Sequence, residues 1–188
     1  MKKINFAEGN WNPQDFRYVY SPRWTPGAKP KQEKDYIING INPTNGEFDY
    51  ISLMTKEKYK TGVRLETTCS FDSFGAPLIV ISDDMFKRED GEWYFGIHYE
   101  IVLYEKGINV WEINYNPDVM KWHKVMGLDF PVSEKETHTF SVKVLDKMLD
   151  ITMGEQHVLL RMEHLPEEFH VGITLCEGIN RFYEFGIE

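Results

Sequence analysis

The chain has 188 residues, of which 41% are hydrophobic and 14% aromatic, so it is long and apolar enough to form one folded domain and too apolar to be disordered. Its longest apolar runs, 78–81 and 101–104, are far shorter than the ~18 residues of a membrane-spanning helix, which excludes that class. The formal net charge of −9 argues against a nucleic-acid partner, because nucleic-acid binding depends on clustered Lys and Arg.

The N-terminus and the cysteines bear on the cellular compartment. Met1-Lys2-Lys3 is followed by polar residues and Glu8, where a signal peptide needs a run of about 7–15 apolar residues. Cys69 and Cys176 form no Cys-x-x-Cys motif, so neither a zinc site nor a redox dithiol is indicated. We therefore expect two free thiols in a cytoplasmic protein, since a disulfide between them would require secretion.

Residues 1–46 differ in composition from the rest of the chain. Prolines and glycines interrupt any regular element there, yet the segment also holds several large aromatic side chains. These aromatic residues are Trp11, Phe16, Tyr18, Tyr20 and Trp24. We therefore predict a single domain over 1–188 in which a loop-rich segment, 1–46, packs on a main body, 47–188, and contains a short strand near 16–20.

Period-two alternation dominates residues 47–188 and predicts strands. Apolar residues occupy every second position from Val63 to Phe71, and the same pattern recurs at 140–144, 149–153 and 169–175. Turn signals rather than helical patterns separate these strands, which favours an antiparallel two-sheet sandwich or barrel.

Three further segments refine this prediction. Residues 76–81 and 99–104 are more apolar than alternation predicts, which is typical of central strands covered on both faces. Asn116-Pro117-Asp118 is a helix-start signal, so 119–125 is read either as a short helical turn or as a strand through Trp122.

The C-terminal half resembles the concanavalin A-like lectin/glucanase superfamily, in particular its small bacterial members. The similarity is carried by 99–111, by the Thr137-His138-Thr139-Phe140 opening of a strand, by 149–154 with its Gly154 turn, and by the ending 171–185. It implies an all-β jelly-roll sandwich of two curved antiparallel sheets whose concave face binds carbohydrate.

The glucanases of this superfamily carry two carboxylates on one strand in a Glu-x-Asp-x-x-Glu pattern, because alternate residues share a face and the carboxyls must lie ~5–5.5 Å apart. Glu47-Phe48-Asp49 begins this pattern, but Ser52 stands at the position of the second glutamate. No catalytic residue is therefore assigned.

Polar residues on strands are the next candidates for a site. Arg64 and Glu66 share one strand face, as do His98 and Glu100. These pairs either decorate a solvated sheet surface or hydrogen-bond sugar hydroxyls with a mixed set of donors and acceptors. Trp111 follows on the next strand and either fills the core or stacks on a sugar ring.

The turn at 176–183 is the most distinctive local sequence and also has two interpretations. In the first, Gly178 takes a positive φ while Asn180 and Arg181 satisfy backbone groups. In the second, Glu177, Asn180, Arg181 and Tyr183 form the rim of the ligand site.

Three hypotheses for function follow. The first is a carbohydrate-binding protein whose ligand-binding residues are Arg64, Glu66, His98, Glu100, Trp111, Glu177, Asn180, Arg181 and Tyr183. The second is a glycoside hydrolase or polysaccharide lyase with a divergent pair drawn from Glu66, His98, Glu100, Glu112 and Glu177. The third is a non-catalytic interaction module. No motif indicates a cofactor or a metal; for calcium the only candidate is the Asp83-Asp84 loop.

Overall fold

The alternating pattern of apolar and polar residues folds into strands. In the computed structural model, which describes residues 2–20, 27–42, 46–116 and 119–188, the regular elements are eighteen strands and one 3-10 turn, Pro13–Asp15. Within those ranges no helix is long and apolar enough to cross a membrane. The strands are β1 (Lys2–Asn5), β2 (Phe16–Tyr20), β3 (Lys31–Gln32), β4 (Ile37–Ile38), β5 (Ile51–Thr55), β6 (Tyr59–Lys60), β7 (Arg64–Asp72), β8 (Leu78–Ser82), β9 (Met85–Lys87), β10 (Trp93–Phe95), β11 (His98–Tyr104), β12 (Gly107–Asn116), β13 (Val119–Asp129), β14 (His138–Leu145), β15 (Met148–Met153), β16 (Gln156–Arg161), β17 (Glu168–Leu175) and β18 (Ile179–Ile187).

These strands form two sheets. The back sheet runs in the order β16, β15, β14, β7, β18, β4, β3, and β1 also pairs with β18. The front sheet runs in the order β13, β12, β11, β8, β17, β5, β2, β10, β9, and β6 also pairs with β17. Among the described strands every pairing is antiparallel except that of β10 with β2. The predicted all-β sandwich of two antiparallel sheets is confirmed.

The main core lies between the two sheets and follows from the alternation. On β7, Leu65, Cys69 and Phe71 are fully buried and pack in one cluster with Ile79 of β8 and Ile101 of β11. Glu66 and Thr68, at alternate positions of β7, face outward from the back sheet. The two inner faces of a sandwich interdigitate in this way, and their apolar burial is the dominant favourable contribution to folding.

The front sheet also carries apolar side chains on its outer face, the face opposite the main core. The predicted two-sided burial of the central strands is confirmed, because every residue of β8 is buried and all of β11 except Tyr104. A second apolar cluster lies on this outer face and consists of Val19, Met54, Leu78, Val80, Met85, Phe95 and Val102.

Residues of the Pro-rich N-terminal segment contribute strands to both sheets. β1, β3 and β4 extend the back sheet beside β18, and β2 pairs with β5 in the front sheet. The strand predicted near 16–20 is β2. Trp24, together with three of the five prolines of this segment, lies outside the described residues.

Two local predictions are also resolved by the structure. Residues 119–129 form β13, so the strand interpretation holds over the short helical turn, while Pro117 and Asp118 of the helix-start signal lie outside the described residues. Both cysteines are free. Cys69 lies in the core between the sheets, whereas Cys176 packs against the outer apolar cluster.

We expect His170 to make the fold less stable in acid. Its buried ring Nδ1 donates to the carbonyls of Thr55 and Glu57, both at 3.1 Å. Burial lowers the pKa of His170 below its usual 6.5, so protonation favours the unfolded chain and its stabilising contribution is lost as the pH falls below 6.5. The His170→Asn variant keeps an N–H donor but cannot titrate. Urea unfolding between pH 8 and pH 5 is expected to show wild type losing more stability than the variant; parallel losses would contradict this role.

Candidate functional site

A cavity of about 580 Å³ opens on the outer face of the front sheet, and we call it the front cavity. Its lining comes from strands β8, β11, β12 and β13, from the β7–β8 and β17–β18 turns, and from Tyr50, which precedes β5. The lining residues are Tyr50, Phe74, Ala76, Leu78, Glu100, Val102, Tyr104, Asn109, Trp111, Trp122, Cys176 and Glu177. The front cavity thus combines an apolar floor with a few polar groups, as small-ligand sites generally do.

Glu100 is the buried charged group of the floor. Because side chains alternate along β11, Tyr99 and Ile101 enter the core, and Glu100 lies on the outer face with only 4% of its surface exposed. The hydroxyl of Tyr50 donates to Glu100 Oε1 at 2.6 Å. His98 Nε2 lies 3.6 Å from the same oxygen, and Nδ1 of that ring is 3.1 Å from the Gly96 carbonyl. The carboxylate is therefore held in one orientation.

Tyr50 links Glu100 to the thiol of Cys176. Its hydroxyl is hydrogen-bonded to both groups, and burial, followed by the charge of Glu100, raises the pKa of Tyr50 well above its usual value. Burial, again followed by Glu100, also raises the pKa of Cys176. Both groups consequently stay protonated near neutral pH, so the tyrosine acts as a hydrogen-bond donor and the thiol is a poor nucleophile.

Aromatic side chains line the cavity beside this carboxylate. Alternation along β12 places Val110 in the core and Trp111 on the outer face, and a β-bulge at Val125 of β13 lies opposite this pair. Trp111 packs edge-to-face with Trp122, with 6.4 Å between ring centroids and 82° between planes. Phe74 in the β7–β8 turn is 82% exposed. These rings offer flat apolar surfaces to a ligand.

Two asparagine side chains fix the β17–β18 turn at the rim of the front cavity. Asn39 Nδ2 donates to the carbonyls of Cys176 and Gly178, at 3.0 and 2.8 Å, and Asn39 Oδ1 accepts from the backbone N–H of Asn180 at 3.0 Å. Asn180 Nδ2 in turn donates to the carbonyls of Cys176 and Glu177, at 2.7 and 3.0 Å. The β17–β18 turn that carries Glu177 is therefore rigidly anchored.

The structure divides the nine predicted site residues between two surfaces. Four lie together at the front cavity: Glu100, Trp111 and Glu177 line it, and His98 stands next to Glu100. Five belong to the back sheet, and they are Arg64, Glu66, Asn180, Arg181 and Tyr183. The two polar pairs therefore lie on different sheets, because β7 belongs to the back sheet and β11 to the front sheet.

Each of those five back-sheet residues has a local partner or role. Arg64 and Glu66 form an ion pair at 3.1 Å on the exposed outer face, where such pairs contribute little. Arg181 bonds Asp72 at 3.0 Å, and the Tyr183 hydroxyl lies 3.2 Å from that of Ser70. Asn180 is fully buried and anchors the turn, as in the first interpretation of 176–183.

Sequence reasoning missed several cavity residues, including Tyr50, Phe74 and Asn109. Phe74 left a usable signal, because a large aromatic residue in a turn between two strands has no core to fill. Tyr50 left none, since it precedes β5 in an ordinary apolar run. Asn109 Oδ1 is buried and has no hydrogen-bond partner among the described residues, a feature that no sequence pattern shows.

The carboxylates available for chemistry are few. Of the five residues considered for a divergent pair, Glu100 and Glu177 line the front cavity, while Glu66 lies on the back sheet and Glu112 faces His164 at 3.7 Å. Within the described ranges no group of three or more His, Cys, Asp and Glu side chains is arranged to hold a metal ion. The cavity therefore presents hydrogen-bond acceptors and aromatic faces.

Comparison with solved structures identifies the fold. No protein-family model matches the sequence, and no curated protein matches it either. Solved structures do match. The Bacteroides ovatus mixed-linkage glucan GH16 protein, solved in complex with a G4G4G3G product, superposes with a TM-score of 0.67 at 11% identity, covering 100% of this chain and 99% of its own.

Two other similar structures belong to different proteins. An inactivated β-agarase B, in complex with agaro-octaose, has a TM-score of 0.64 at 11% identity and covers 98% of this chain and 90% of its own. The carbohydrate-binding module CBM66 from Bacillus subtilis has a TM-score of 0.58 at 10% identity, covering 80% and 90%. The protein thus has the concanavalin A-like jelly-roll fold that its sequence resembles.

Proposed function

We propose that this protein binds an oligosaccharide in the front cavity. The observation that carries the proposal is the buried, oriented carboxylate of Glu100 on a floor flanked by Trp111 and Trp122. Sugar rings have apolar faces that pack on flat aromatic side chains, and their hydroxyls need fixed acceptors and donors. Glu100 and Asn109 supply acceptors, and Tyr104 supplies a hydroxyl.

The comparisons support this proposal at the level of the fold. The matched structures include a carbohydrate-binding module and enzymes solved with oligosaccharides bound. Such likeness at 10–11% identity transfers no residue role, so the site assignment depends on the cavity.

Binding is favoured over hydrolysis by the residues along β11. A retaining glycosidase needs two carboxyls ~5–5.5 Å apart, whereas the residues that share the outer face with Glu100 on this strand are His98, Val102 and Tyr104. Hydrolysis remains a second candidate function because Glu177 lines the same cavity. In that case Glu100 and Glu177 form the pair, and an oligosaccharide that binds wild type is cleaved into shorter products.

We expect Trp111→Ala to weaken oligosaccharide binding by about 30-fold, or about 2 kcal/mol, through loss of stacking area. The first step is a thermal-shift panel of neutral, amine-bearing and uronic oligosaccharides, with and without calcium. A ligand at about a hundred times its Kd adds ~2.7 kcal/mol, or roughly 5–11 °C for a chain of this length. The best ligand is then titrated calorimetrically into wild type and Trp111→Ala.

The matched control is Arg64→Ala on the outer face of the back sheet. Binding unchanged in Arg64→Ala and weakened in Trp111→Ala assigns the ligand to the front cavity. The reverse pattern moves the site to the back sheet. A panel without any shift removes the carbohydrate proposal and leaves the interaction module.

A further inference from the structure

The charged groups at the front cavity all have one sign. Glu100 and Glu177 line it, and none of its described lining residues is a lysine or an arginine. Two nearby groups can be cationic: His98, whose Nε2 is 3.6 Å from Glu100 Oε1, and Lys124, which lies opposite Trp111 in the pairing of β12 with β13. An anionic ligand would have to approach the two lining carboxylates, whereas Lys124 occupies an exposed position outside the lining.

The burial of Glu100 makes a cationic ligand favourable. Its side chain is 5% exposed, and the hydrogen bond from the Tyr50 hydroxyl satisfies the carboxylate without neutralising its charge. A buried carboxylate gains strongly from a cation placed beside it, because attraction between charges rises as water is excluded.

Two other features of the lining point the same way. Asn109 Oδ1 is a buried acceptor that has no hydrogen-bond partner in the described structure, so a donor group of a ligand can fill that role. The faces of Trp111, Trp122 and Phe74 attract cations through the ring quadrupole, and tryptophan is the strongest of the aromatic residues in this respect. Acceptors and aromatic faces together form a lining suited to an ammonium group carried by a ring with apolar faces.

We propose that the front cavity selects amine-bearing sugars, such as glucosamine oligosaccharides, over neutral and acidic ones, with the ammonium group at Glu100. The inference rests on the proposed function, since it names the class of sugar for the same site. In this arrangement the aromatic side chains pack on the sugar rings. Glu100, with Glu177 at the rim, binds the ammonium group.

The test compares two ligands that differ only in the group at C2 of each sugar ring. The tetramer of β-1,4-linked glucosamine and cellotetraose share ring configuration and linkage, and differ in carrying ammonium or hydroxyl at C2. Calorimetry at a pH low enough to protonate the amines is expected to show at least ~10-fold tighter binding of the glucosamine tetramer. The fully N-acetylated tetramer, which has no charge, is expected to bind like cellotetraose.

Variants locate the selectivity. Glu100→Gln keeps the shape and an acceptor but removes the charge, and it is expected to bring the affinities for the two tetramers within ~3-fold of each other. Glu66→Gln on the back sheet makes the same change in net charge far from the cavity and is expected to keep the preference. Circular dichroism and thermal melting check that both variants are folded.

Each outcome is decisive. Equal affinities for both tetramers in wild type overturn the inference and leave the carbohydrate proposal standing. A preference that persists in Glu100→Gln, or is lost in Glu66→Gln, also overturns it, since the selectivity then comes from the net charge of the protein. Binding of uronic oligosaccharides alone overturns it too. A flat response to every sugar removes the proposed function itself.

Discussion

Gly178→Ala is expected to lower the free energy of unfolding by about 3 kcal/mol or more and to disorganise the rim of the front cavity. Gly178 has φ = +65°, and a Cβ placed there would lie 2.3 Å from the Gly75 nitrogen and 2.3 Å from the Ser73 oxygen. Both atoms belong to backbone, so neither can rotate away. The β17–β18 turn would have to separate from the β7–β8 turn, which carries Phe74.

Gly154→Ala is the matched control. Gly154 has a similar φ of +56°, but a Cβ there meets nothing within 4 Å, so its cost is limited to the left-handed backbone of about 1 kcal/mol. Urea unfolding of both variants separates the two contributions, because the difference in midpoint at equal m-value reports the contact between the turns. Equal losses of stability would contradict the packing of Gly178 against Gly75.

The strands were predictable because their signal is local. Alternation along β7 or β17 reflects which side chains enter the core, and any segment of that kind identifies itself without its neighbours. Both central strands were also marked by their own composition. The resemblance added the pairing of these strands into two layers, which alternation alone leaves open between a sandwich and a barrel.

The cavity was only partly predictable, since alternation separates two faces without showing which one borders a cavity. Arg64 with Glu66 and His98 with Glu100 have the same pattern, yet the first pair lies on the outer face of the back sheet and the second pair at the front cavity. The difference comes from long-range pairing. Tyr50 reaches Glu100 across fifty positions of sequence, and no local signal encodes that contact.

Asn39 is a second residue whose contacts no local sequence signal encodes, and these contacts bear on stability rather than on binding. It follows β4 with no motif to distinguish it, yet it is 4% exposed and ties three carbonyls and one N–H from distant segments. In one of the two interpretations drawn from the sequence, Asn180 and Arg181 satisfy the backbone groups of this turn; in the structure Asn180 does so, whereas Arg181 bonds the Asp72 carboxylate. The structure adds a second amide that comes from the other end of the chain.

Asn39→Ala is therefore expected to lower the free energy of unfolding by about 3 kcal/mol, because the carbonyls of Asp49, Cys176 and Gly178 each lose one hydrogen-bond donor and the buried Asn180 N–H loses its acceptor. For a chain of this length that is a fall in Tm of roughly 6–12 °C. Asn114→Ala, at an exposed position of β12, is the control and is expected to change Tm by less than about 2 °C.

A double-mutant cycle with Asn180→Ala tests whether the two amides act as one unit. Both donate to the carbonyls of Cys176 and Gly178, so only the double variant deprives these carbonyls of both donors, and the coupling is expected to exceed about 0.5 kcal/mol. Thermal or urea unfolding of the four proteins measures it. Additive losses would show that each asparagine holds the turn independently. Coupled losses mean that Asn39 and Asn180, 141 positions apart in the sequence, hold the turn that carries Glu177 as one unit.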